Sequence, residues 1–171
     1  MLGVINAHLI NASAVGIIIP TAFLFGGAVQ IIAAILEVLR GNTFGMVAFG
    51  SYGPFWIIVG LYLHTYAKTV APTSVGTAVA LLLWMFAIIS VYLFIASLKT
   101  DVVLAIILFL LVVTFVLLAL GNGYASTGLI ETGGWVTMAF SILGFYHAAS
   151  GTIQSTWGKN LLPLGPLTGK K

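Results

Sequence analysis

Arg40-Gly41-Asn42-Thr43-Phe44-Gly45-Met46-Val47-Ala48-Phe49-Gly50-Ser51-Tyr52-Gly53-Pro54-Phe55-Trp56 is the stretch whose reading decides the fold. It starts at a cation, crosses a glycine-punctuated turn and enters an apolar segment holding a serine, a tyrosine, a proline and a tryptophan. An ordinary helix would be spoiled by so many breakers, at about 1 kcal/mol per interior glycine and about 3 kcal/mol for proline. Membrane helices tolerate them where helices approach closely or where backbone lines a cavity. The stretch predicts a membrane-edge turn followed by a helix that walls a pathway.

The rest of the chain supports a membrane setting. Of 171 residues, 61% are hydrophobic and 5% are charged, against about a quarter charged in soluble domains. Mean hydropathy is +1.20. Apolar runs separated by short polar or glycine-rich joints define six spans, at about residues 2–18, 21–39, 44–66, 74–97, 102–120 and 132–150. About 20 helical residues cross the hydrocarbon core. The fold class is therefore an all-α integral membrane protein with six transmembrane helices. Residues 1–151 form the transmembrane domain, its first helix truncated at the N-terminus, and residues 152–171 a frayed tail with Pro163, Gly165, Pro166 and Gly169. The first run lacks a basic leader and holds Asn6, His8 and Asn11, so no cleavable signal peptide is expected.

Charge placement sets an orientation. With six spans, Arg40, Lys99, Lys159, Lys170 and Lys171 fall on one side and Lys68 on the other. The positive-inside rule then places both termini in the cytoplasm of a multi-pass plasma-membrane protein. The net charge of +3 is too small to suggest nucleic acid, and zero cysteines exclude disulfides and thiolate chemistry. No nucleotide loop, zinc signature or nucleophile elbow is present. An enzyme is not expected, and neither is a cofactor or a metal.

Polar side chains within spans mark the candidate pathway, because hydrocarbon excludes them. His8 and Asn11 share a face of the first span, with Asn6 well round the helix; they either donate to a permeating solute or bond between helices. Gln30 and Glu37 lie seven apart on one face. Gln30 offers an amide to a carboxylate or glues helices, and Glu37 pairs with Arg40 or lines a vestibule. Tyr52 and Trp56 share a face of the third span, with Tyr52 too deep for an interfacial belt. Leu111, Phe115, Leu118 and Asn122 form one stripe beside Thr114. That stripe is either packing material or, opposite Tyr52, an apolar neck that narrows a pore. Asp101 caps the fifth helix. Gly144 and Ala148 supply small packing positions beside Tyr146 and His147.

Several of these motifs resemble the acetate uptake transporter family, the succinate–acetate permeases. They are Gly41-Asn42-Thr43-Phe44-Gly45, Ser51-Tyr52-Gly53 with Phe55-Trp56, Phe25-Gly26-Gly27 with Gln30 and Glu37, Ser97-Leu98-Lys99, Leu117 to Asn122, Gly134-Trp135, and Leu162-Pro163-Leu164-Gly165. The resemblance implies six-helix protomers assembled as a homo-hexamer in lipid. Each protomer would pass acetate and related monocarboxylates, with succinate in some members. It also implies a constriction built from a phenylalanine, a tyrosine and a leucine. The tyrosine maps to Tyr52 and the leucine to Leu111, while the phenylalanine and the Asn-Pro-Ala-Pro-Leu-Gly-Leu hallmark are expected upstream of Met1. Gly144 maps to a small position that tunes substrate size.

The expected mechanism has neutral donors, Asn6, His8, Gln30 and Thr114, attracting the carboxylate. Tyr52 and Leu111 then form a narrow apolar neck fitted to its methyl group, with Phe115 a further candidate pathway residue on the same stripe. Proton coupling would rest on His8 or on passage of the neutral acid. The rival readings are a channel for neutral solutes of the urea, ammonia or glycerol type, and a non-transporting sensor or scaffold.

Overall fold

The computed structural model describes residues 1–167. Five helices have the length and apolarity to cross a membrane: α2 (Ala12–Leu39), α3 (Thr43–Tyr66), α4 (Pro72–Ser97), α5 (Val102–Gly123) and α6 (Thr127–Trp157). A short helix, α1 (Leu2–Asn6), precedes them. Consecutive helices pack as antiparallel neighbours, α2 on α3, α4 on α5 and α5 on α6, and α1 lies against α6.

The boundary between the first two spans differs from expectation. Helix α1 ends at Asn6 rather than continuing to residue 18, and α2 begins at Ala12. His8 sits between them at φ 56, the left-handed region that suits His better than most side chains. Asn11 then caps α2, its side chain accepting from the Ser13 N–H at 2.9 Å. These polar residues end and start helices; they do not lie along one. Pro20, at the expected break between spans, lies inside α2 instead. The helix changes register around it, from a tight 3-10 opening at Ala12–Ile17 to a wide π-helical stretch at Ala22–Ala28.

The glycines of the opening stretch serve mainly to bring α3 against α2. Gly41, at φ 70, ends α2, with Gly41 and Asn42 N–H groups returning to the Val38 and Glu37 carbonyls. Asn42 caps α3 by accepting from the Gly45 N–H at 3.2 Å. Beyond this three-residue hairpin the helices run antiparallel. A Cβ at Gly45, Gly53 or Gly60 would collide with or crowd Glu37, Ile31 and Phe23 respectively. Their spacing of eight and seven puts them on one face. Small residues here permit the close approach that dispersion, the main attraction between membrane helices, requires.

As far as residue 167 the tail is not frayed. Helix α6 runs to Trp157 and ends at Gly158 in the left-handed conformation. Residues 161–167 then turn back over the joint between α4 and α5. Val102 and Val103 N–H groups donate to the Gly165 and Leu164 carbonyls, and Leu167 N–H donates to the Thr100 carbonyl. Tyr146 and Ser150 hydroxyls bond the Pro163 and Leu162 carbonyls at 3.0 and 2.6 Å. Proline and glycine composition foretells a non-helical segment but not its partners. Gly169, Lys170 and Lys171 lie outside the described residues.

Candidate transport pathway

Three helices converge on an aromatic cluster near the middle of the bundle. Phe55 from α3, Phe86 from α4 and Phe115 from α5 are each buried, with Leu83, Leu118 and Ala119 around them. Phe55 meets Phe86 at 4.6 Å and Phe115 edge-on at 5.4 Å between centroids. Tyr52, one turn before Phe55, stacks on Phe115 at 6.4 Å with the planes 16° apart. Leu111, one turn before Phe115, packs against the same cluster. The fourfold spacings 52–56 and 111–115 are the part of this arrangement visible in the sequence.

Polar groups punctuate the cluster. The Tyr52 hydroxyl lies 2.8 Å from Ser90 Oγ, and Ser90 in turn donates to the Phe86 carbonyl at 2.7 Å. Ser90 is fully buried. Sequence reasoning misses it, although a small hydroxyl in the apolar run of α4 is the signal. Thr114 is 4% exposed, and its Oγ1 is the one buried side-chain polar atom without a hydrogen-bond partner among the described residues.

Of the other anticipated residues, Trp56 packs against the cluster and, with Gln30, Thr21, Phe25 and Leu2 of α1, lines a cleft of about 330 Å³. Asn6 is half-buried at the end of α1, and its backbone passes against Gly134 of α6. His8 is exposed in the turn, so its place does not bring it to the aromatic cluster. Gly144 faces open space on α6, where a methyl group in place of its hydrogen would meet no atom within 4 Å.

One rim of the bundle, at the α2–α3 and α4–α5 joints, carries both ion pairs. Glu37 accepts from Arg40 at 3.3 Å and also from the Asn42 amide. Asp101 caps α5 through the Leu104 N–H at 2.8 Å, and its second oxygen lies 3.1 Å from His147 Nε2 on α6. The cap is legible in the sequence; the histidine partner is not, because it lies 46 residues away. Among the described residues no cluster of His, Asp and Glu fits a metal.

The site is thus a buried aromatic and aliphatic cluster with hydroxyls set into it, inside a helical membrane bundle. The chain matches the GPR1/FUN34/yaaH family over residues 1–167 and belongs to it. It is 34% identical over 164 residues to the succinate-acetate/proton symporter SatP of Escherichia coli (strain K12), covering 94% of this chain and 86% of that one. It is 32% identical over 153 residues to ammonia transport outward protein 2 of Saccharomyces cerevisiae, covering 84% of this chain and 54% of the yeast protein. Its fold superposes on the solved bacterial acetate channel SatP with a TM-score of 0.88 at 30% identity, over 96% of this chain and 90% of the other.

Proposed function

We propose that this protein conducts acetate and related small carboxylates across a cell membrane, through a neck formed by Tyr52, Leu111 and Phe115. The observation that carries the reading is the convergence of these three side chains from α3 and α5 on one cluster, in a chain akin to SatP. An apolar constriction accommodates a methyl group, and the absence of mid-span Lys or Arg in the sequence keeps binding weak enough for release. Thr114 and Gln30 supply neutral donors along the way. Gly144 leaves room on α6.

Orientation and assembly belong to the same proposal. Arg40, Lys99 and Lys159 follow the ends of α2, α4 and α6, which share one side of the bundle. The positive-inside rule makes that side cytoplasmic. Exposed apolar side chains such as Phe25, Ile88 and Phe145 face outward, where lipid or neighbouring copies of a hexamer would cover them.

Labelled-acetate uptake into proteoliposomes tests the neck. Tyr52→Ala and Leu111→Ala should each change flux or selectivity, and wild-type behaviour in both removes the neck from the proposal. The yeast relative's name favours a second reading, a path for ammonia. Ammonia flux without acetate competition would establish that reading instead.

A further inference from the structure

Three polar atoms beside the neck stand in an order that fixes where each proton goes. Ser90 Oγ lies 2.7 Å from the Phe86 carbonyl oxygen, one turn back on α4. A carbonyl only accepts, so the single Ser90 proton is committed to it. Tyr52 Oη lies 2.8 Å from the same Ser90 Oγ. With the serine proton spent, the tyrosine must donate and the serine accept. The Tyr52 proton is therefore turned into the protein, and its oxygen offers a third group only lone pairs.

That polarity separates two forms of one substrate. A carboxylate only accepts, and two acceptors brought together in a low-dielectric site repel. A carboxylic acid carries an O–H that suits the Tyr52 oxygen and a carbonyl that needs a donor. Thr114 is such a donor on α5, immediately before the ring that stacks on Tyr52. Thr132, Thr137 and Ser141 spend their hydroxyls on the carbonyl four residues back. The Thr114 hydroxyl is buried and spends its proton on nothing. Leaving such a group unpaired is unfavourable, and a substrate carbonyl would relieve it.

We propose that Ser90 is a positioning residue that holds Tyr52 as an acceptor, so that the neck passes small monocarboxylic acids in their protonated, neutral form. The inference rests on the acetate reading above. The carboxylate takes a proton from water at one mouth, crosses with its O–H bond intact and releases the proton at the other. One acid thus carries one proton, and no net charge crosses.

The test is labelled-acetate uptake into proteoliposomes at fixed total acetate, with protein-free vesicles subtracted. Wild-type flux should fall about tenfold per pH unit between about pH 6 and pH 8, following the neutral acid. It should also ignore an imposed potassium-diffusion potential. Ser90→Ala removes the acceptor and frees the Tyr52 proton for an anion, so the slope should flatten and a voltage response appear. Ser90→Thr keeps the acceptor and should restore the wild-type slope. A merely structural role would scale flux at every pH and leave the slope alone. Wild-type flux that is flat with pH and follows voltage overturns the proposal, as does a wild-type slope in Ser90→Ala. Should Ser90→Ala not fold, Tyr52→Phe provides the same comparison: a flattened slope supports the proposal and an unchanged one overturns it. No protein-dependent acetate flux at any pH would instead defeat the acetate reading itself, and this inference with it.

Discussion

The ring of Tyr52 lies nearly parallel to that of Phe115, with centroids 6.4 Å apart and an interplanar angle of 16°. One ring is half-buried and hydrogen-bonded, while the other is 4% exposed and wedged edge-on against Phe55. Phe115 thus supports the tyrosine from behind. Phe115→Ala should lower stability by about 3–5 kcal/mol, the usual cost of emptying a buried aromatic site. Thermal unfolding in detergent measures that loss. A melting temperature equal to wild type would show that the cluster is not packed as described.

Gly144 gives the opposite expectation. Nothing lies within 4 Å of an added methyl group there, and α6 is helical through it. Gly144→Ala should therefore stabilise the protein slightly, by up to about 1 kcal/mol of helix propensity. If Gly144 borders the pathway, a larger residue such as Leu should narrow the substrate range while leaving the fold intact. Uptake of acetate against longer monocarboxylates reads this out. An unchanged ratio in Gly144→Leu would take Gly144 off the pathway.

What the residues reveal, and what they hide, divides along range. Long apolar runs such as Val102–Gly123 announce themselves, because a membrane demands length and apolarity from every crossing helix. The 52–56 and 111–115 spacings show which side chains share a helix face. Sequence spacing does not show which helix that face meets, so Ser90 and the partner of His147 stay hidden. The contacts that matter here, Ser90 with Tyr52 and Asp101 with His147, join residues at least 38 apart in sequence. The α1–α2 boundary is misplaced in the sequence reading for a different reason. Asn6, His8 and Asn11 look the same as pathway donors or as turn and cap residues, and Pro20 is a breaker only if the helix cannot change its register. The glycines of α3 read in the sequence either as close helix approach or as cavity backbone, and Gly45, Gly53 and Gly60 mark helix contact.

The crossing of α1 on α6 is closer still. A Cβ on Gly134 would run into the Ala7 N atom and come within 2.8 Å of the Gly3 carbonyl oxygen. Backbone cannot yield as a flexible side chain can. Gly134→Val should therefore push α1 away from α6 and cost about 1–3 kcal/mol in overpacking. Cysteines placed at Leu2 and Val136 in this cysteine-free chain offer a spin-label pair. Their distance distribution should broaden and lengthen in the valine variant. An unchanged distribution would mean that the contact is not needed to seat α1.

Asp101 divides its two oxygens between two duties, capping α5 and meeting His147. Asparagine caps a helix about as well as aspartate, but it replaces the carboxylate that meets His147 with a neutral amide. Asp101→Asn should therefore keep the stability of α5 while loosening its tie to α6. Asp101→Ala should lose both, with the cap alone worth about 0.5–2 kcal/mol. The returning segment provides a local readout, because Val102 and Val103 N–H groups bond the Gly165 and Leu164 carbonyls immediately beside Asp101. Limited proteolysis within residues 159–167 should accelerate most in Asp101→Ala and less in Asp101→Asn. Equal rates in the two variants would assign the hold on this segment to the histidine contact that both remove and leave no role for the cap.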